Sequence, residues 1–328
     1  MKSSPYHCVK NGMKRRRFID GTVHHIYQKP ADGIVIFYTE LDFIVFLTLF
    51  SVVSRKYDVT VLGVCPMIDH WHIVVTAGNK TALSAFVQEY TSRFVKEYNF
   101  SLGREKGRMF TRRFGCAPKR SDKDVRSTLA YLYNNAPERK LCSKAEEYKW
   151  NLLAYGTSCH PYSAPLDHSH LSSRMKKALS LVKSMHTSAN YLGYIFLERL
   201  YRGLTSVECE QITDYILSLY SPVDYGQLEE YYGEWETMLQ AFSSNTGSEY
   251  ELREDWAGYT DKVYSRMTAI LLRKLNISSI KEVLTYSLAK RKELYRYLLS
   301  VEAFNPRQVA KFLQIAASEG VESQRFNR

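Results

Sequence analysis

The chain predicts an α+β fold: an antiparallel sheet with helices packed against it, followed by an all-α C-terminal region. Strand-length apolar runs separated by turn residues recur between positions 22 and 76, interrupted by one helical stretch, and helical apolar spacing follows at 81–100 and 121–135. Strands followed by helices rather than alternating with them point to an antiparallel sheet. From Arg174 onward the spacing is helical, without strong strand signals.

Taken in order, residues 1–17 form a basic arm ending in Lys14, Arg15, Arg16 and Arg17. Residues 22–38 read as two strands joined by the turn-rich loop 29–33. The apolar run from Phe43 to Val53 carries Thr48 and Ser51 and is too short to span a bilayer, so 40–56 is expected to be a buried helix. Val59 to Cys65 reads as a strand, Pro66 to Asp69 as a turn and His70 to Thr76 as the antiparallel neighbour. A helix is expected over 81–100, with Leu83, Phe86, Val87, Tyr90, Phe94 and Tyr98 at core spacing, and a strand over 108–114. Ser121 followed by Asp124 predicts a capped helix start, and Val125, Leu129 and Leu132 form its core stripe.

Residues 156–173 are rich in Ser and Pro and are expected to link a domain at 18–155 to a helical domain at 174–328. His168 and His170 in that stretch lack any strand pattern and read as exposed linker. Near 260–328 the chain turns basic again, and its short helices separated by tight turns are compatible with a helix-turn-helix. The six cysteines are scattered with no Cys-x-x-Cys, which argues for reduced thiols in a cytoplasmic protein and against a zinc knuckle or disulfide scaffold.

Charge is distributed unevenly. Residues 1–150 carry 25 Lys+Arg against 14 Asp+Glu, a net of +11, and the remainder of the chain is neutral. Such asymmetry suits a polyanionic partner better than a generally soluble surface. Seven Lys/Arg and one acid fall between Arg104 and Arg120, and Arg108, Arg112 and Arg113 are candidates for phosphate contact, together with the Lys14–Arg17 run.

Two constellations carry chemistry. His70 and His72 lie at i and i+2 of a strand, so they leave the same face roughly 6.5–7 Å apart at the backbone, close enough to share one divalent cation. An isolated His-x-His is more often two sheet-face histidines bonded to neighbours. Tyr131 and Asn135 lie at i and i+4 of a helix and project side by side, a phenol beside an amide oxygen.

Together these motifs resemble the single-tyrosine transposases of the histidine–hydrophobic–histidine (HUH) nuclease superfamily, within it the REP-associated tyrosine transposases and their IS200/IS605 relatives. Cys65 to His72 is similar to the family's Met-Pro-(Asn/Asp)-His-x-His signature, with Ile68 in place of its Pro and a bulkier Trp71 between the histidines. Val23 to Tyr27 with Gly33 to Phe37 resembles its first hairpin, and Gly107 to Phe114 its basic Gly-x-x-Phe-x-x-x-Phe strand. Tyr131 to Asn135 resembles its Tyr-Ile-His-Asn-Asn-Pro, the Pro displaced by one to Pro137, and Tyr148 to Trp150 its closing Tyr-x-Trp.

The resemblance implies the HUH fold and cleavage and rejoining of single-stranded DNA near hairpins. It implies Tyr131 as nucleophile, and His70, His72 and Asn135 as ligands of Mg²⁺ or Mn²⁺. The implied partner is hairpin-forming single-stranded DNA, with no membrane, and the protein a monomer or homodimer. The competing expectation is a DNA-hairpin-binding regulator, or a domesticated copy, that cleaves nothing.

Overall fold

The computed structural model describes residues 18–31, 33–104, 109–111, 114–244 and 260–315. Its sheet has the order β2-β3-β1-β4, formed by β1 (Val23–Gln28), β2 (Thr60–Met67), β3 (His70–Thr76) and β4 (Gly115–Lys119). Every pairing is antiparallel. Pro118 is tolerated because β4 is an edge strand, where one side of the backbone needs no ladder partner.

The helices divide between the two faces. On one, α1 (Glu40–Lys56) and α2 (Lys80–Ser101) enclose Trp71, which is fully buried among Phe37, Phe46, Tyr90, Phe94 and Phe110. The bulky residue between the histidines therefore fills the core behind the sheet, and its Nε1–H donates to the Tyr90 hydroxyl at 3.3 Å. On the other face lies α3 (Asp122–Glu138), started by a capping box between Ser121 and Asp124.

Gly63 on β2 lets α3 approach closely. A Cβ there would meet Leu132 Cδ2 and the Tyr133 hydroxyl, each at 3.2 Å, and that hydroxyl donates to Leu62 O at 3.1 Å. Short 3₁₀ turns at Ala145–Glu147, Lys149–Asn151 and Leu153–Gly156 close the region. Tyr148 donates to Pro66 O at 2.8 Å and Trp150 stacks on Phe43, so the Tyr-x-Trp motif returns to β2 and α1.

Beyond residues 156–173, α4 (Ser173–Thr187), α5 (Tyr194–Tyr201), α6 (Ser206–Tyr220), α7 (Tyr225–Glu230) and α8 (Trp235–Ser244) share the apolar core of the sheet. Helices α9 (Lys262–Leu275), α10 (Leu288–Val301) and α11 (Pro306–Phe312) build a second cluster that includes Val35, with Ile68 packed against it.

Two expected strands are corrected. Residues 34–38 are extended and form no strand, because their backbone donors turn elsewhere: Val35 N–H to Lys311 O, and the Ile36 and Phe37 N–H groups to Ile68 O. The strand expected at 108–114 lies instead at Gly115–Lys119, and among the described residues of the earlier segment Phe110 makes an isolated bridge to Pro30. Helix α3 also runs on through Pro137 before ending at Arg139.

Candidate active site

The strand register selects which side chains meet beneath α3. His72 pairs with Cys65 of β2 and Tyr27 of β1, and His70 pairs with Met67. Paired residues of antiparallel strands share a face, so His70, His72, Tyr27 and, two positions before it, His25 all look toward α3. The rings of His70 and His72 lie 5.0 Å apart, both buried.

Tyr131 comes to this face from α3. Its ring meets that of His72 edge-on at 5.3 Å and that of His25 at 6.0 Å. The phenol and the imidazoles thus converge within one chain. Asn135 follows one helical turn later, also buried, its Nδ2 without a hydrogen-bond partner among the described residues.

Each imidazole is held by its Nδ1. Asp69 Oδ1 lies 2.6 Å from His70 Nδ1, and His25 Nε2 lies 3.1 Å from His72 Nδ1. A carboxylate or second imidazole on Nδ1 orients the ring and leaves Nε2 as the nitrogen for a metal. The proton between His25 and His72 can sit on only one of the two facing nitrogens, so at least one ring is neutral there. Burial would raise the Asp69 carboxyl, but the bond and charge of His70 and the charge of Lys311 outweigh it and hold the group well below the usual carboxylate range.

The donor set fits a hard or borderline divalent cation. Two imidazole nitrogens and one amide oxygen suit Mn²⁺ or a partly hydrated Mg²⁺, and the His70 ring already carries the carboxylate on Nδ1 that such ligands use. Among the described residues no group of three or more His, Cys, Asp or Glu is placed to hold a metal, so Asn135, water and substrate would complete the shell.

Of the other candidates, Lys14, Arg15, Arg16, Arg17, Arg108, Arg112 and Arg113 lie outside the described residues. His170 is exposed and pairs locally with Asp167 at 2.8 Å. Three residues at the site escaped the sequence reading. His25 carried a usable signal, since alternation along β1 places it on the His72 face. Lys311 and Asp261 carried none, because only the tertiary fold returns them from the C-terminal helices.

Lys311 Nζ lies 2.5 Å from Asp69 Oδ2. Asp261, next to α9, is buried with Oδ2 unpartnered among the described residues, and Arg139 Nη1 stands 4.0 Å from its Oδ1. Burial, then the charge of Asp69, push its carboxyl up to about 6, against the opposing charges of Arg139, His70 and Lys311. A raised folded-state pKa means that the group favours folding fully below its unfolded value, about 4, and that this contribution is lost as pH rises through about 6. Asp261→Asn keeps the shape and removes the ionisation. In chelator-containing buffer it should raise stability at pH 7.5 by roughly 3 kcal/mol, from about 1.4 kcal/mol per pH unit, and flatten the pH dependence between about pH 4 and 6. Denaturant unfolding across that range checks this; an unchanged slope refutes it.

No helix among the described residues is long and apolar enough to cross a membrane. Residues 2–135 match the family described as transposase IS200 like. A solved structure of a REP-associated tyrosine transposase bound to a REP hairpin is similar at 17% identity, over 42% of this chain and 79% of that one, with a TM-score of 0.36. No curated protein matches the chain. The matched stretch, residues 2–135, is the segment that supplies both histidines, Tyr131 and Asn135, and over it the chain is similar to the IS200-like transposases.

Proposed function

We propose that the protein is a transesterase of single-stranded DNA that nicks and rejoins strands near hairpins through a 5′-phosphotyrosine. The observation that carries this reading is the Tyr131 ring lying 5.3 Å from that of His72 on the same buried sheet face. The likeness of residues 2–135 to the IS200-like transposases supports transposase-like action on DNA. The division into a basic arm (1–17), a nuclease unit (18–155), a linker (156–173) and a helical part (174–328) belongs to the same proposal.

In the reaction, the Tyr131 phenol oxygen attacks the scissile phosphorus and the bond to the 3′-oxygen breaks. The 5′-phosphate stays on the tyrosine and the other strand leaves with a 3′-hydroxyl. A free phenol is almost wholly protonated at neutral pH, so its proton passes to water or a neighbouring imidazole as the oxygen attacks. Because one phosphoester replaces another, attack by a second 3′-hydroxyl reverses the step without ATP. His70, His72 and the Asn135 oxygen would hold Mg²⁺ or Mn²⁺, which when bound polarises the phosphate and steadies its developing charge. Arg108, Arg112, Arg113 and the Lys14–Arg17 arm are proposed to hold the backbone of the DNA.

Incubation with hairpin-forming single-stranded DNA and Mn²⁺ should yield a protein–DNA adduct that survives denaturation. His70→Ala should reduce its formation at least a hundredfold, read by gel. A chain that binds the hairpin tightly yet never forms the adduct would be a non-cleaving regulator instead.

A further inference from the structure

We propose that Lys311, on α11, is a positioning residue of the nuclease site, so that the C-terminal helices complete a centre whose tyrosine and candidate metal ligands all come from residues 2–135. The inference rests on the metal-site reading above for its consequence, and on geometry for its substance.

Lys311 Nζ, Asp69 and His70 form a continuous chain. The ammonium holds Asp69 Oδ2 at 2.5 Å, and Asp69 Oδ1 holds His70 Nδ1 at 2.6 Å. A carboxylate engaged through one oxygen can pivot about its Cβ–Cγ bond; engaged through both, it is fixed in plane. Fixing it fixes the Nδ1–H tautomer and the direction of Nε2, the nitrogen a cation would use.

Lys311 is itself anchored. Its carbonyl accepts from Val35 N–H at 3.2 Å, and the next residues of the same segment donate to Ile68 O, adjacent to Asp69. The Gln314 side chain donates to Val35 O at 3.3 Å, and the Tyr38 hydroxyl donates to Phe312 O at 2.6 Å. The lysine stem passes Gly33, and its Cε would stand at ordinary contact distance, 3.7 Å, from a Cβ there. The extended segment 34–38 is thus a bracket between α11 and the turn that presents Asp69, which accounts for its not joining the sheet.

The test uses the full chain with Lys311→Met, Lys311→Gln, Lys311→Arg and Asp69→Asn. Mn²⁺ binding is followed by calorimetry or electron paramagnetic resonance, and the His70 tautomer by side-chain nitrogen NMR without metal. Lys311→Met should weaken Mn²⁺ binding about 10- to 100-fold, the range for loss of an outer-shell partner, and mix the His70 tautomers. Lys311→Gln, which keeps a donor without the charge, should act in the same direction at less structural risk. Arginine should restore affinity to within a few-fold, and Lys311→Met should add nothing in the Asp69→Asn background.

Unchanged affinity and tautomer, with only a lower melting temperature, would overturn the proposal. If the wild type binds no Mn²⁺ but its Nδ1–H tautomer is lost in Lys311→Met, positioning by Lys311 stands and the metal reading falls.

Discussion

Tyr131→Phe should eliminate the covalent protein–DNA adduct while leaving hairpin affinity within a few-fold of wild type. The substitution removes one oxygen and keeps the ring, so its edge-on contacts with His72 and His25 survive. Tyr131 is buried in α3 just before Leu132 and Tyr133, which dock on β2, and a phenylalanine of nearly equal volume should alter stability by less than about 1.5 kcal/mol. The phosphate contacts proposed to supply affinity would come from cationic groups elsewhere. The loss is therefore confined to bond formation. Among the described residues Tyr27, the other phenol on this face, is drawn over Gly115, where a Cβ would fall 2.0 Å from its ring. An adduct that persists in the Phe variant identifies another nucleophile. Loss of hairpin binding together with the adduct shows that the hydroxyl serves recognition.

What could be read from the sequence was whatever depends on neighbours in the chain. β3 begins at His70, where the His-x-His run meets its apolar continuation, and Trp71 and Ile73 are buried behind it. The helix carrying Tyr131 starts at the capping box formed by Ser121 and Asp124. Segment 34–38 misled because its apolar alternation satisfies a strand pattern equally well whether its N–H groups meet a ladder or, as here, Ile68 and Lys311. In the same way Phe110 is buried against Trp71 without belonging to a strand, while the less apolar Gly115–Lys119 pairs with β1. The Asp69–Lys311 pair spans 242 residues, beyond the reach of any local pattern. The two histidines and Tyr131 could be picked out because the motifs of the resembled family name them; Lys311, which holds Asp69 from the far end of the chain, is visible only in three dimensions.

The largest loss of stability is expected from Asp42→Ala, about 4 kcal/mol. Asp42 is fully buried, and both of its oxygens are committed. Oδ2 accepts from the Tyr38 and Thr39 N–H groups, each at 2.8 Å, and closes the capping box of α1. Oδ1 accepts from the Tyr194 hydroxyl at 2.7 Å and Lys281 Nζ at 2.8 Å. That ammonium also sits over the rings of Tyr98 and Tyr194, at 4.4 and 4.0 Å. Alanine would remove a cap worth about 1 kcal/mol and strand a buried ammonium, for which breaking one partner of such a pair costs about 3–5 kcal/mol. Against a typical total of about 5–15 kcal/mol, this is roughly a quarter to four fifths of the stability of the fold. Asp42→Asn should lose less, because its amide oxygen can still cap α1. Adding Lys281→Met to Asp42→Ala should recover part of the loss, since the uncompensated charge goes while the stem still packs on the two tyrosines. Guanidinium unfolding of the two single variants and the double variant tests this, and a loss under about 1 kcal/mol for Asp42→Ala would refute it. The carboxylate ties the start of α1 to α5 and to the 3₁₀ turn at Ile280–Thr285 between α9 and α10. Its loss should therefore loosen the seat of the C-terminal helices that deliver Lys311, and weaken Mn²⁺ binding before the sheet itself melts.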